Sequence, residues 1–428
     1  DANIQDTSGN TPLHISTRKE YFNVSQLLIE SGCEINVRNY SGKTPLYFAV
    51  LGKDVVLVKF FLKNNADANI QDTLGNTPLH ISTRERFSNI SQVLVDSGCE
   101  VNVRNNRGET PLYRAVLGKN EGDVELLLKN NTDANIEDTS RNTPLHISTL
   151  KGFSNISELL IGSGCEVNVK NSEGETPLYR AVRGKNVADV KLLLKNNAKV
   201  NIQDSSGNTP LHISTGEGFS NISQLLLDSG CNVNERNNEG EMPLSCAVLG
   251  NNAADVKLLL MNNADANILN SLGNTPLHIS TSMGFSNISQ LLVDSGCKVN
   301  VKNNIGETPL YLAVCGRNVA DVKVLLQNNA DANAQDTFGN TPLYMSALKG
   351  FTDISQLLMD SGCQVNLANI SGETPLHSAV RAMNTADVKH LLTNNADANI
   401  QDTSGNTPLH ISTHERFSNI SKLLIDTG

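Results

Sequence analysis

The sequence predicts an all-α solenoid: thirteen tandem helix-turn-helix units joined by β-turn or hairpin loops, curved and extended, in one continuous array over residues 1–428. Three observations lead there. All thirteen prolines lie on one ruler, Pro12, Pro45, Pro78, Pro111, Pro144, Pro177, Pro210, Pro243, Pro276, Pro309, Pro342, Pro375 and Pro408, with every gap 33 residues. An apolar stripe at helical spacing recurs in the second half of each unit, and Gly or Asn follows it at a fixed place. Self-similarity at one fixed period marks stacked repeats. Each helix pair is too short to bury its own face, so stacking supplies the core.

Helix one begins at Thr11-Pro12. Threonine at the N-cap accepts an orphan N–H, and proline at N1 has the right φ and no donor to lose. His14 falls at N3, where a side chain reaches back to the cap residue as in a capping box. Small Ser16 and Thr17, or Ala49 and Val50, let helices pack closely. Helix two carries Val24, Leu27 and Leu28 at i, i+3, i+4 spacing, predicting one apolar face. It stops at Gly32 in odd repeats and at Asn65, Asn131 and Asn197 in even ones, residues suited to the left-handed conformation. An extended stretch, residues 34–37, and a Gly-containing turn lead into the next unit.

A second period of 66 residues overlies the first. Odd units read like Gly9-Asn10-Thr11-Pro12-Leu13-His14, even units like Gly108-Glu109-Thr110-Pro111-Leu112-Tyr113. The stretches 67–98 and 397–428 differ at six of 32 positions. The duplicated block was therefore a pair, and its copies are young or homogenised.

These residues resemble the ankyrin repeat. Asp6, Gly9, Thr11-Pro12-Leu13-His14, Leu27-Leu28, Gly32 and Asn36 match that motif within one copy, and the likeness covers essentially the whole chain. Departures are Ser-Thr for Ala-Ala in odd repeats, Tyr for His in most even ones, and Cys for Ala at Cys33. The resemblance implies a non-catalytic protein-binding scaffold whose turn tips and helix-one ends line a concave groove. Carried onto this sequence, that face comprises Tyr40, Leu51, Leu74, Leu117, Leu249, Leu272, Ile305, Phe338, Leu348 and Ile370. Exposed apolar groups in a strip suggest protein binding.

Other chemistries find little support. The net charge is −10 with lysines and arginines scattered singly, unlike the basic stripe of a nucleic-acid binder. No apolar run reaches the roughly 18 residues of a membrane span, and no signal peptide opens the chain. No nucleophile–base pair, phosphate loop or paired carboxylate stands out from the repeat, so neither catalysis nor a cofactor is expected. Histidines at 14, 80, 146, 212, 278, 377 and 410 sit mostly two repeats apart, roughly 16–20 Å at helix spacing, too far to share a metal. The same separation keeps Cys33, Cys99, Cys165, Cys231, Cys297 and Cys363 from forming disulfides. They read as small core residues, as does Cys246, while Cys315 alone is expected to be exposed. Eight unpaired thiols fit a reducing, cytoplasmic compartment. The Asn-x-Ser/Thr sequons, such as Asn23 and Asn89, would matter only in a secreted or host-delivered protein.

Alternative readings are a structural array stacking end to end, or an ankyrin segment of a larger channel, secreted toxin or symbiont effector. Leu423, Leu424 and Ile425 form no polar end face, which predicts a piece of a longer array or end-to-end self-association. Repeat eight breaks local rules, with Met242 for the N-cap Thr and Ser245 for His or Tyr, and is expected to be the weakest seam and a hinge. Repeat five has Arg141 where the turn elsewhere has Gly, predicting strain if φ is positive there.

Overall fold

In the computed structural model, residues 2–427 are described; among them are 26 α-helices and no strand. The chain divides into two compact units, residues 1–205 and 206–428. The first holds six helix pairs, from Pro12–Arg18 with Phe22–Glu30 to Pro177–Arg183 with Val187–Lys195. The second holds seven, from Pro210–Gly216 with Ser220–Asp228 to Pro408–His414 with Ser418–Thr427.

Every helix one starts at its proline, after an extended N-cap residue. At Thr11, Thr77 and Thr275 the cap hydroxyl accepts the N3 amide, and the N3 histidine completes the box. The second residue of helix one (Leu13, Leu46, Leu79, Leu112, Leu145, Leu178) is buried throughout the first unit. Helix two closes over it with Ile90 and Leu94, or Val124 and Leu127. In repeat one the counterparts are Val24, which is exposed, and Leu28, which is half-buried, and Leu27 beside them is exposed as well. The apolar stripe is a face for a neighbouring helix, and among the described residues no preceding helix covers it there.

Helix two ends as the sequence predicts, in left-handed Gly32 (φ 79°) and Asn65 (φ 63°). A second left-handed residue, between helix one and helix two, was not foreseen. There Glu20, Lys53, Arg86, Lys119 and Lys185 adopt φ of 52–64°, a conformation that costs an L-residue roughly 1 kcal/mol or more.

The loops are tight turns laced to one another. Residue by residue, the turn-tip amide of one repeat donates to the preceding tip: Tyr40 to Ser8, Thr73 to Ser41, Asn106 to Leu74 and Thr139 to Arg107, all at 2.9–3.1 Å. An asparagine ladder runs beside them. The side chains of Asn36, Asn69, Asn102 and Asn135 each accept the amide 31 residues on.

Cys165 and Cys297 are buried and Cys33, Cys99, Cys231 and Cys363 half-buried. The core reading thus holds for Cys165 and Cys297 and needs correction for the other four, and two further expectations need correction too. Cys315 is half-buried rather than exposed, because its short side chain stays below its surroundings where leucines at equivalent places protrude. Cys246 is also half-buried rather than core, because it edges a groove. Burial raises both thiols, to about 11 and about 12, so each reacts with a thiol reagent slowly, at a rate sensitive to what covers it.

Candidate binding face and the seams that support it

The buried histidines of helix one have both ring nitrogens engaged by the chain itself. Thr77 N–H donates to His80 Nδ1 at 3.1 Å, so the proton sits on Nε2, which donates to the Glu109 carbonyl of the next repeat at 3.0 Å. His14, His146, His278 and His377 repeat this pattern across 29 residues. Each is thus a cap and a staple. Burial drives His80, His146 and His278 down to about 4, and lowers His14 and His377 as well. Among the described residues no group of three His, Cys, Asp or Glu side chains could hold a metal.

Even repeats use a different staple. The hydroxyls of Tyr47, Tyr113, Tyr179 and Tyr311 donate to Asp72, Asp138, Asp204 and Asp336 at 2.6–2.7 Å. Asp72, Asp138 and Asp336 also accept amides within their own turns, as Asp138 does from Ser140 and Asn142.

The Ser-Thr departure has a structural use. Ser82 and Ser91 Oγ lie 2.9 Å apart, and Ser91 donates to Asp123 Oδ2 at 2.9 Å. Ser355 reaches Asp387 similarly at 3.3 Å, and Ser154, Ser220 and Ser286 serve Asp189, Asp255 and Asp321. All five aspartates are fully buried, and burial raises their carboxyl pKa values.

On this frame the ten candidate binding residues are all exposed. Tyr40, Leu74, Leu272, Ile305, Phe338 and Ile370, on the turns, are 55–71% exposed; Leu51, Leu117, Leu249 and Leu348, ending helix one, are 37–45% exposed. The structure brings four of them together in the second unit. Leu272, Ile305, Phe338 and Ile370 occupy four successive turns, linked by the bonds Asn304 N to Leu272 O, Thr337 N to Ile305 O and Ile370 N to Phe338 O. In the first unit Tyr40 and Leu74 sit on adjacent turns, whereas Leu51 and Leu117 are two repeats apart.

Charge is placed under this face by buried glutamates. Glu175 holds Arg180 Nε at 2.7 Å and Arg183 Nη1 at 2.6 Å, and Glu109 holds Arg114 Nε at 2.8 Å. The sequence reading missed these pairs and the groove that appears where they fail. The signal was there in the alternation of Arg114, Arg180 and Cys246 at one repeat position.

Stacked helix pairs with capped proline starts define an α-solenoid. Segments spanning residues 1–402 match the family of ankyrin repeats, in overlapping blocks from 1–72 to 318–402. The chain belongs to the ankyrin-repeat family. No curated protein matches it. Ankyrin repeats generally mediate protein–protein interaction, and the family is typically non-catalytic. Among the described residues no helix is long and apolar enough to cross a membrane.

Proposed function

We propose that this chain is a non-catalytic scaffold that binds a protein partner through its turn tips and helix-one ends. The observation that carries the reading is the row Leu272, Ile305, Phe338 and Ile370, four large apolar side chains exposed on four successive turns. Apolar groups gathered this way on rigid turns are suited to act as anchors, with affinity concentrated in a few of them.

A photo-crosslinking residue placed singly at Phe338 or Ile370 should trap one partner in extracts of the source cells. The same residue at Val56 or Met261, exposed on helix two, should not. Equal trapping from helix two, or trapping from helix two alone, would overturn the assignment of the face.

A further inference from the structure

One groove lies within the second unit, between repeats seven and eight. In repeat six, Glu175 holds Arg180 and Arg183, and Arg180 Nη2 also donates to Asn142 Oδ1 at 3.1 Å. Sixty-six residues further on, both acceptors persist as Glu241 and Asn208, and Asn208 Oδ1 still accepts from Asn237 Nδ2 at 3.0 Å, as Asn142 does from Asn171, but the two arginines are gone. Cys246 stands for Arg180, Leu249 for Arg183, Gly216 for Leu150 and Glu217 for Lys151. What is left is a groove of about 340 Å³ whose lining includes Asn208, Gly216, Glu217, Glu239, Glu241 and Cys246.

Glu241 is half-buried, and among the described residues no ion pair involves it. Burial and the like charge of Glu239 push its carboxyl pKa up, against a hydrogen bond from Asn237. A partly desolvated carboxylate without a counter-ion is unfavourable and gains from any cation that reaches it. Repeat ten answers the same loss differently. Glu307 there is followed by Leu312, which occupies the arginine position. Repeat eight, with the smaller Cys246, leaves the space open.

We propose that this groove receives an arginine side chain of the protein partner, its guanidinium taking the place that Arg180 fills in repeat six. The proposal rests on the scaffold reading and names the chemistry of one contact. Two acceptors set apart, a carboxylate and an amide oxygen, suit the planar fork of a guanidinium better than the point charge of an ammonium. Glu217 and Glu239 at the lining favour a cation and would repel the α-carboxylate of free arginine.

The test uses the full chain and Nα-acetyl-arginine methylamide as probe, with maleimide labelling of each cysteine read by mass spectrometry. The probe should slow labelling of Cys246 by roughly threefold or more, as a charge-assisted contact in a groove would, while the other seven cysteines are unchanged. The neutral citrulline analogue should give no protection, and the capped lysine and free arginine less. Glu241→Gln, checked for folding by unchanged labelling elsewhere, should abolish it. Equal protection by citrulline or lysine, undiminished protection in Glu241→Gln, or stronger protection by free arginine would each overturn the proposal. Cross-links from Phe338 test the turn face separately, so failure of one is distinguishable from failure of the other.

Discussion

The seam between repeats four and five and the seam between repeats eight and nine occupy equivalent places in the 66-residue period, yet they are built differently. In the first, Thr110 caps helix one, Tyr113 bonds Asp138, and Thr139 N–H donates to Arg107 O at 2.9 Å. In the second, Met242 makes no cap bond, Ser245 cannot span the gap, and Asn270 replaces the acid. Among the described residues no backbone bond joins the tips Ser271 and Glu239. The turns also stand further apart. A Cβ built on Gly240 would lie 3.6 Å from Ser271 N, against 3.0 Å from Gly108 to Thr139 N and 2.7 Å from Gly42 to Thr73 N. Both halves of the tyrosine–acid pair are missing together. The period therefore specifies helices, while the strength of each joint is written in a handful of polar side chains.

Transplanting the weak joint is the strongest test of that lesson. Thr110→Met, Tyr113→Ser and Asp138→Asn together remove a cap worth about 1 kcal/mol and a charged hydrogen bond worth about 1.5–3 kcal/mol. The turn itself should survive, because Asn270 keeps the same two amide bonds that Asp138 makes. Amides of residues 112–116 should then exchange about a hundredfold faster, opening as a local unit. In the native chain residues 241–247 should already be the least protected stretch of the second unit's interior repeats, acting as a hinge. Uniform protection through that stretch would sink the weak-seam reading.

Acid should change the ranking of the seams. A histidine whose folded pKa is depressed stabilises the fold fully above its unfolded value near 6.5, and that stability is lost as pH falls toward the folded value of about 4. The loss is on the order of 2–3 kcal/mol for a fully buried ring such as His80. The buried aspartates act oppositely: with folded pKa values raised, they weaken the fold as pH rises through those values and so recover some stability in acid. Between pH 6.5 and 4, seams stapled by histidine should loosen while the seam after Ser245 changes little. Exchange at repeat three, followed over that range, checks this. Tyr344 shows how to remove the effect, since in a histidine position its hydroxyl donates to Glu373 Oε2 at 2.7 Å. His80→Tyr, facing Glu109, should therefore keep the seam at neutral pH and flatten its acid response. An unchanged acid response would mean that His80 is not the titrating staple.

Helix starts and stops were legible because their chemistry is local. Thr11-Pro12 and Gly32 act within one turn of chain, and the cap role of His14 spans three residues. The staples were not legible, because each partner lies in the next repeat. His80 and Glu109, or Tyr113 and Asp138, meet only once the stacking register is known. The same blindness hid that Val24 and Leu27, on the predicted apolar face of helix two, stay exposed, since a stripe does not say whether a neighbour covers it. The ten apolar side chains on turns and helix ends were placed by the ankyrin resemblance, and all ten are exposed. The groove at Cys246 needed the arginine of a sister repeat to be seen in place first.

Arg141 gives the smallest and sharpest contrast. Its φ is +61°, in a turn where sister repeats carry glycine at 72–80°. At Gly75 and Gly207 an added Cβ would come within 2.7 Å of the next turn's backbone, so Arg141 combines an unfavourable backbone angle with a crowded place. The seam nevertheless keeps its tip bond, Ser172 N to Ser140 O at 3.0 Å. The side chain regains little, because its 3.1 Å pair with Glu137 is mostly exposed and such pairs are worth about 0–1 kcal/mol. Relief of left-handed strain by Arg141→Gly contributes roughly 1 kcal/mol, and the added freedom of the unfolded chain takes back about 0.4–1 kcal/mol. The expected net gain is only a few tenths of a kcal/mol, read as slower exchange of the Ser172 amide. Faster exchange there would mean that the Glu137 pair, and not the backbone angle, governs this turn.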